Sequence, residues 1–290
     1  MDVGRVRLRL RIALTCALLL ALLASGLLLR QTVLRPRLVS FSTIKVGGAA
    51  VPDNGGYWLV QQDGGVFTFG HATFYGSEGG QTLNAPMVGM SARFDGRGYW
   101  LVGADGGIFN FGAAGFYGSM AGHTLNKPVS GIASTPDGGG YWLVGQDGGV
   151  FNFGDAPYKG GMCCVTLSAP IIGIAATPSG QGYWLVGSDG AIYTFGDAPF
   201  LGGKPPLSQP VKGIFGTPDG RGYWMVAGDG GIFTFGDAQI FSALPARYTG
   251  ITDVSAMVPT RDGNGYWIIE QNGNVHVFGN AVCGVSGGCA

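Results

Sequence analysis

Short apolar stretches separated by glycine-rich polar turns recur along most of this chain. Residues 128–169 contain four stretches that we predict to be strands: Val129–Ser134, Tyr141–Gly145, Val150–Phe153 and a weaker one at Ala156–Lys159. Asp-Gly pairs between the first three suit hairpin turns, because glycine adopts a positive φ without steric cost. The run Tyr-Trp-Leu-Val is apolar without alternation, which predicts a strand covered on both faces.

The dipeptide Tyr-Trp marks six copies of this pattern. Its tryptophans are all the tryptophans of the chain and lie 42, 42, 42, 40 and 43 residues apart: Trp58, Trp100, Trp142, Trp184, Trp224 and Trp267. The copies span residues 44–85, 86–127, 128–169, 170–209, 210–252 and 253–290. A constant period of this length indicates a repeat architecture rather than several independent domains.

Repeats of about 42 residues with four short strands each predict an all-β fold, a six-bladed β-propeller over residues 44–290. In that fold the aromatic side chains fill the space between neighbouring sheets, so we expect the six tryptophans to be structural. An open β-solenoid or a lectin-like array is the alternative. A helical repeat is excluded, because no segment after Ile44 has a useful 3.6-residue apolar period and glycine is too frequent.

The phrase Gly-Tyr-Trp-Leu-Val, followed by Asp-Gly-Gly-Val-Phe and Phe-Gly-Asp-Ala-Pro-Phe, resembles the Gly-Tyr-Trp propeller repeats of exported bacterial proteins. The resemblance covers about residues 44–285 and implies the propeller fold. Such repeats are often found beside peptidase or cell-wall-hydrolase domains and resemble interaction modules without a catalytic motif. The phrase differs from WD40 repeats, which end strands with Trp-Asp, and from kelch repeats, in which Tyr and Trp are separated.

The N-terminus differs from the repeats. Four arginines precede an uncharged apolar run at residues 12–29, and Arg30 closes it. A helix over this run is about 27 Å long, close to the ~30 Å core of a bilayer. We expect residues 1–30 to be a signal anchor with residues 31–43 as a linker, which places the repeats outside the cytoplasm in a single-pass membrane protein. Cleavage near Ala24-Ser25-Gly26 would instead release a secreted protein.

Charge argues against a nucleic-acid partner. Charged residues make up 12% of the chain, against about 25% in typical soluble domains. From Ile44 onward there are ten Lys and Arg against sixteen Asp and Glu, a net charge of −6. Because a nucleic-acid binder needs a basic stripe, this domain is not expected to bind nucleic acid.

Four cysteines lie outside the apolar run: Cys163, Cys164, Cys283 and Cys289. An exported chain favours disulfides, and we predict a local bridge between Cys283 and Cys289. The adjacent Cys163 and Cys164 are a second candidate pair. A zinc site is the alternative for four thiolates, but adjacent cysteines lack chelate spacing.

Candidate catalytic groups are scarce. Thirteen of the 17 acidic residues occupy repeated turn positions, which indicates turn chemistry rather than calcium ligation or catalysis. The three histidines have no companion at ligand or triad spacing. No cofactor motif is present, and a propeller hydrolase is the least favoured of the functions considered.

Loops that vary between repeats are the expected contact surface, because rigid scaffolds carry binding residues on such loops. The candidates are His123, Lys127, Arg247 and Tyr248, with a solvated loop as the alternative for each. We expect a non-catalytic binding or scaffolding module at the bacterial cell surface whose partner is a protein or a cell-envelope glycan. The alternative is a carbohydrate or cell-wall binding protein that uses aromatic pockets between blades.

Overall fold

The computed structural model describes residues 44–241, 251 and 253–284 of the protein. These residues form 18 strands and no helix, so the all-β prediction is confirmed. Accordingly, the described part of the chain contains no helix that is long and apolar enough to cross a membrane. The helix expected over residues 12–29 lies outside the described residues.

Each repeat contributes a first, a middle and a third strand. The first strands are β1 (Lys45–Ala50), β4 (Met87–Ala92), β7 (Val129–Ser134), β10 (Ile171–Ala176), β13 (Val211–Gly216) and β16 (Val254–Pro259). The middle strands are β2 (Gly56–Gln61), β5 (Gly98–Gly103), β8 (Gly140–Gly145), β11 (Gly182–Gly187), β14 (Gly222–Ala227) and β17 (Gly265–Glu270). The third strands are β3 (Val66–Gly70), β6 (Ile108–Gly112), β9 (Val150–Gly154), β12 (Ile192–Gly196), β15 (Ile232–Gly236) and β18 (Val275–Gly279).

The strands form six antiparallel sheets, sheets 1 to 6 in chain order, each with the order first, middle, third. Every residue of the six middle strands is buried. This burial agrees with the unbroken apolar run Tyr-Trp-Leu-Val, since a middle strand has a strand on each side and side chains covered on both faces.

The sheets have three strands, so the prediction of four-stranded repeats is wrong. In the third repeat, the expected fourth strand Ala156–Lys159 pairs with side chains instead of a strand. Asn152 Nδ2 donates to Ala156 O at 2.9 Å, and Trp142 Nε1 donates to Pro157 O at 2.9 Å. Lys159 N donates to the Tyr183 hydroxyl at 3.1 Å. Side-chain partners therefore satisfy backbone groups that a strand ladder would otherwise need.

Glycine allows the first strands to approach one another. In every sheet the register between first and middle strands shifts near the start of the first strand, at a bulge. Glycine stands at this place in five sheets. A Cβ added to Gly47 would lie 3.2 Å from Gly89 Cα of the next sheet. A larger residue here would push neighbouring first strands apart.

Contacts between the sheets run in cyclic order. Each first strand contacts the first strand of the next sheet, and β16 of the last sheet contacts β1 of the first. The hydrophobic core consists of six clusters, one between each consecutive pair of sheets and one between sheets 6 and 1. In the last of these, the rings of Tyr57 and Trp267 lie 4.8 Å apart. Gly70 N also donates to Gly284 O at 3.1 Å, which joins the same two repeats.

Candidate functional site

The six tryptophans are fully buried and share one hydrogen bond. Each is at most 1% exposed. Each indole Nε1 donates to the carbonyl fifteen residues later, at 2.7–2.9 Å, and the acceptors are Thr73, Gly115, Pro157, Pro199, Gln239 and Val282. This bond ties the segment after the third strand back to its own sheet. The tryptophan rings are therefore inaccessible to an external ligand.

The adjacent tyrosines link each repeat to the one before it. Four hydroxyls donate to a glycine carbonyl of the preceding repeat at 2.6–2.7 Å: Tyr99 to Gly76, Tyr141 to Gly118, Tyr183 to Gly160 and Tyr223 to Gly202. The Tyr57 hydroxyl has no hydrogen-bond partner among the described residues, and desolvation raises the pKa of Tyr57 to about 12. The residue at the position equivalent to the glycine acceptors is Val285, which lies outside the described residues.

In several repeats a side chain of the turn between the first and middle strands pairs with a side chain just after the third strand, and the two partners differ from repeat to repeat. Asp53 lies 2.8 Å from His71 Nδ1, Ser179 Oγ donates to Asp197, and Asn280 Nδ2 donates to Asp262 at 2.6 Å. In the third repeat a second carboxylate, Asp155, takes this place opposite Asp137. Desolvation and the charge of Asp137 raise the pKa of Asp155. Hydrogen bonds from Thr135 and Gly139 lower the pKa of Asp137.

These opposite shifts predict a pH-dependent stability difference. Asp155 has a higher pKa in the folded protein than in the unfolded chain, where an aspartate has a pKa near 3.9. The folded protein is therefore more stable at a pH below about 3.9, and it loses this stability as the pH rises through the folded-state pKa of Asp155. We therefore expect the variant Asp155→Asn to melt at a higher temperature than the parent at pH 7, with the difference shrinking below about pH 4. Thermal melts across pH measure it.

Asp197→Asn is the matched control for that experiment. It makes the same change in the fourth repeat, where Ser179 rather than a second carboxylate faces the aspartate. This control should not stabilise the protein at pH 7, because it weakens a hydrogen-bond acceptor without relieving repulsion. An equal gain in both variants would show that carboxylate pairing is not the cause.

The structure describes two of the four expected loop candidates. His123 and Lys127 are both exposed on the loop before β7. Arg247 and Tyr248 lie outside the described residues. The structure therefore gives no clustering that would favour ligand contacts over a solvated loop for His123 and Lys127.

The cysteines separate into two groups. Cys163 and Cys164 are exposed free thiols with their sulfur atoms 3.3 Å apart, so the candidate vicinal bridge is not formed in the structure. A bridge between adjacent residues would require a strained peptide geometry. Cys283 is disulfide-bonded. Its predicted partner Cys289 lies outside the described residues, and that pairing stays a prediction.

An outer belt of exposed apolar side chains was missed by reading the sequence. It lies sixteen residues after each of five tryptophans and consists of Phe74, Phe116, Tyr158, Phe200 and Ile240. These side chains are 48–65% exposed. The sixth equivalent position is Cys283. Aligning the repeats on Tyr-Trp finds the belt position, but the sequence does not say whether its side chains face the core.

A central cavity was also missed. Residues of all six sheets line a volume of 340 Å³ beside the ends of the first strands, and Arg261 is the charged side chain of this lining. A smaller cavity of 110 Å³ lies beside the beginnings of the same strands, with Lys212 in its lining. Six residues before Trp the other repeats have Pro52, Phe94, Pro136, Pro178 and Pro218. Arg261 differs from all of these residues, and this difference is the sequence signal that could have pointed to the cavity.

The described residues contain no group of three or more His, Cys, Asp or Glu side chains arranged to hold a metal ion. Comparison with protein-family models gives no match, and comparison with curated proteins gives none either.

Proposed function

We propose that the six sheets form a closed six-bladed β-propeller. The cyclic contacts of the first strands support this arrangement, because an open array has no reason to bring β16 against β1. The ring contact between Tyr57 and Trp267 supports it further, since every other described Tyr-Trp ring contact between sheets joins repeats that follow one another in sequence.

The function that we infer is binding and scaffolding without catalysis, outside the cytoplasm at the bacterial cell surface. Its location is inferred from the arginines and the apolar run at residues 12–29. Turn hydrogen bonds occupy many of the carboxylates that could act as acids or bases. Asp63 and Asp147 each accept from a glycine N–H two residues later, at 2.9 and 3.0 Å.

The outer belt is the observation that carries the binding proposal. The core already holds twelve fully buried Tyr and Trp side chains, so the belt aromatics are not needed to fill it. Single exposed apolar residues are ordinary on protein surfaces. Exposure at the same position in five repeats instead offers a partner several apolar contacts at equivalent places, and linked weak contacts add up to high avidity.

The partner is either a protein or a cell-envelope glycan, and the composition of the belt favours a glycan. Four of the five belt residues are aromatic rather than aliphatic. In a closed propeller the belt residues would face outward in different directions, so one flat membrane or one compact protein could reach few of them together. A branched or meshed polysaccharide can reach several, and flat aromatic rings suit sugar faces.

Sedimentation with purified insoluble peptidoglycan tests the belt. The triple variant Phe116→Ala, Tyr158→Ala, Phe200→Ala should lose most of its retention while keeping its melting temperature. Phe94→Ala removes an exposed aromatic that is not part of the belt, and this control should be retained like the parent.

Two other outcomes have a definite meaning. Capture of one envelope protein by the parent but not by the triple variant, without retention on peptidoglycan, would support a protein partner over a glycan. Equal binding of the parent and the triple variant to every partner found would contradict a role for the belt.

A further inference from the structure

The larger central cavity has one cation and no acidic side chain in its described lining. Met90, Ile132, Ile214 and Phe215 contribute apolar surface, and Arg261 contributes the positive charge. In the smaller cavity Lys212 is likewise the charged lining residue. The two cavities are therefore locally positive within a domain whose net charge is −6. Such a local reversal of charge attracts anions to the cavity.

Two hydrogen bonds, one from the backbone and one from the side chain, hold Arg261 across the first strands. The backbone N–H of Arg261 donates to the side-chain Oδ1 of Asn54, in the first repeat, at 2.7 Å. Its Nη2 donates to the carbonyl oxygen of Arg93, in the second repeat, at 3.1 Å. The side chain thus extends from the sixth repeat past the first to the second, beside the cavity that it lines.

The guanidinium of Arg261 has no carboxylate partner among the described residues. None of the ion pairs formed by these residues includes it. The described residues include every acidic residue of the repeats, because Asp2 is the one carboxylate side chain outside them. A guanidinium has five N–H donors, and the carbonyl of Arg93 uses one. Donors therefore remain for a ligand.

The environment of Arg261 also raises the benefit of an anionic ligand. Arg261 is exposed, and the protein atoms around its guanidinium lower its pKa through partial desolvation. A charge that has lost part of its hydration gains more from an ion pair than a fully hydrated one does.

The cavity wall supplies further hydrogen-bonding groups. Each first strand has a strand partner on one side only. In an antiparallel ladder, alternate N–H and C=O groups of such an edge strand point away from the partner. Six of these edges surround the cavity, so a polar ligand has groups to bond in addition to Arg261.

We propose that the central cavity is a binding site for a singly charged carboxylate, which pairs with the guanidinium of Arg261 while its polar body contacts the edges of the first strands. A carboxylate matches the planar fork of arginine. A single charge suits the site, since the acidic domain around it repels multiply charged anions. The volume of 340 Å³ is at the small end for ligand pockets, which are about 300–1,000 Å³.

Calorimetric titration with matched ligand pairs tests this site in the full chain. Glucuronate is compared with glucose, and N-acetyl-alanylalanine with its C-terminal amide, so that a sugar acid and a peptide terminus are distinguished. We expect at least one acid to bind and its neutral counterpart to bind at least about tenfold more weakly, a difference of about 1.4 kcal/mol. Inorganic phosphate is the third anion tested.

Variants separate the site from general charge. Arg261→Gln should weaken binding of the acid at least about tenfold, a loss of about 1.4 kcal/mol, and Arg261→Lys should recover part of it. Arg221→Gln is the control, because Arg221 is exposed, also lies in a turn after a first strand and is outside the cavity lining. It should bind like the parent. Melting temperatures establish that each variant is folded.

Several results would overturn the proposal. They are equal affinity for acid and neutral ligand, unchanged binding by folded Arg261→Gln, absence of binding by both acids, or tighter binding of phosphate than of either acid. Because the ligands and variants differ from those of the belt experiment, failure here leaves the belt proposal standing, and the reverse also holds.

Discussion

Replacing Trp142 by alanine should cost about 3–5 kcal/mol of folding free energy, the usual loss for a buried large aromatic side chain. The ring is fully buried and lies 5.6 Å from the ring of Tyr183 in the next sheet. Its Nε1 also donates to Pro157 O at 2.9 Å. The variant would therefore lose contacts between two sheets and leave a partly buried carbonyl without its donor. Whole domains have only about 5–15 kcal/mol.

Denaturant unfolding of Trp142→Ala measures this loss, with Tyr158→Ala as the control. Tyr158 is an aromatic residue of the same repeat, but it is 56% exposed. Its removal should change stability by less than about 1 kcal/mol. If the tryptophan served recognition instead, Trp142→Ala would keep the stability of the parent and lose affinity for a ligand.

Gly118→Ala is expected to cost about 2–5 kcal/mol, because it combines backbone strain with overpacking. Gly118 has a φ of 136°, which residues other than glycine rarely adopt. An added Cβ would also lie 2.5 Å from the Phe153 ring of the next sheet. The Gly118 carbonyl also accepts from the Tyr141 hydroxyl at 2.6 Å. A backbone shift that relieves the clash would therefore disturb the hydrogen bond that links the two repeats.

Gly122→Ala is the matched control for this prediction. Gly122 has a φ of 80°, and an added Cβ would meet no atom within 4 Å. Its cost should be limited to backbone strain, about 1–2 kcal/mol. Equal shifts of the unfolding midpoint in the two variants would show that the contact with Phe153 contributes nothing.

The sequence predicted much of the fold because the same signals occur six times. The Tyr-Trp-Leu-Val run predicts a buried strand, and the middle strands are buried throughout. Asp147-Gly148-Gly149 predicts a hairpin, and Gly148 has a φ of 77° in the turn between β8 and β9. The fourth strand was predicted wrongly because strand propensity does not reveal that Trp142 and Tyr183 bond the segment's backbone.

The candidate sites were harder to predict, since they depend on tertiary geometry. Arg261 differs from its repeat equivalents in the sequence, but only the arrangement of the first strands brings it to a cavity. Likewise, Phe116 and Tyr117 are adjacent in sequence. Tyr117 is partly buried and packs against the core cluster between sheets 2 and 3, whereas Phe116 is 58% exposed. Apolar composition alone cannot distinguish these two neighbours.

Double electron–electron resonance, which measures the distance between two spin labels, tests the closed propeller most directly when the labels are placed on third strands. Spin labels are attached through a ketone-bearing amino acid, which spares the native cysteines. The labelled positions are Thr68, Asn110, Thr194 and Val277, which occupy the same place opposite the tryptophan in sheets 1, 2, 4 and 6. A closed ring predicts that the distance from Thr68 to Val277 equals that to Asn110 and is shorter than that to Thr194. A distance to Val277 longer than that to Thr194 would contradict it.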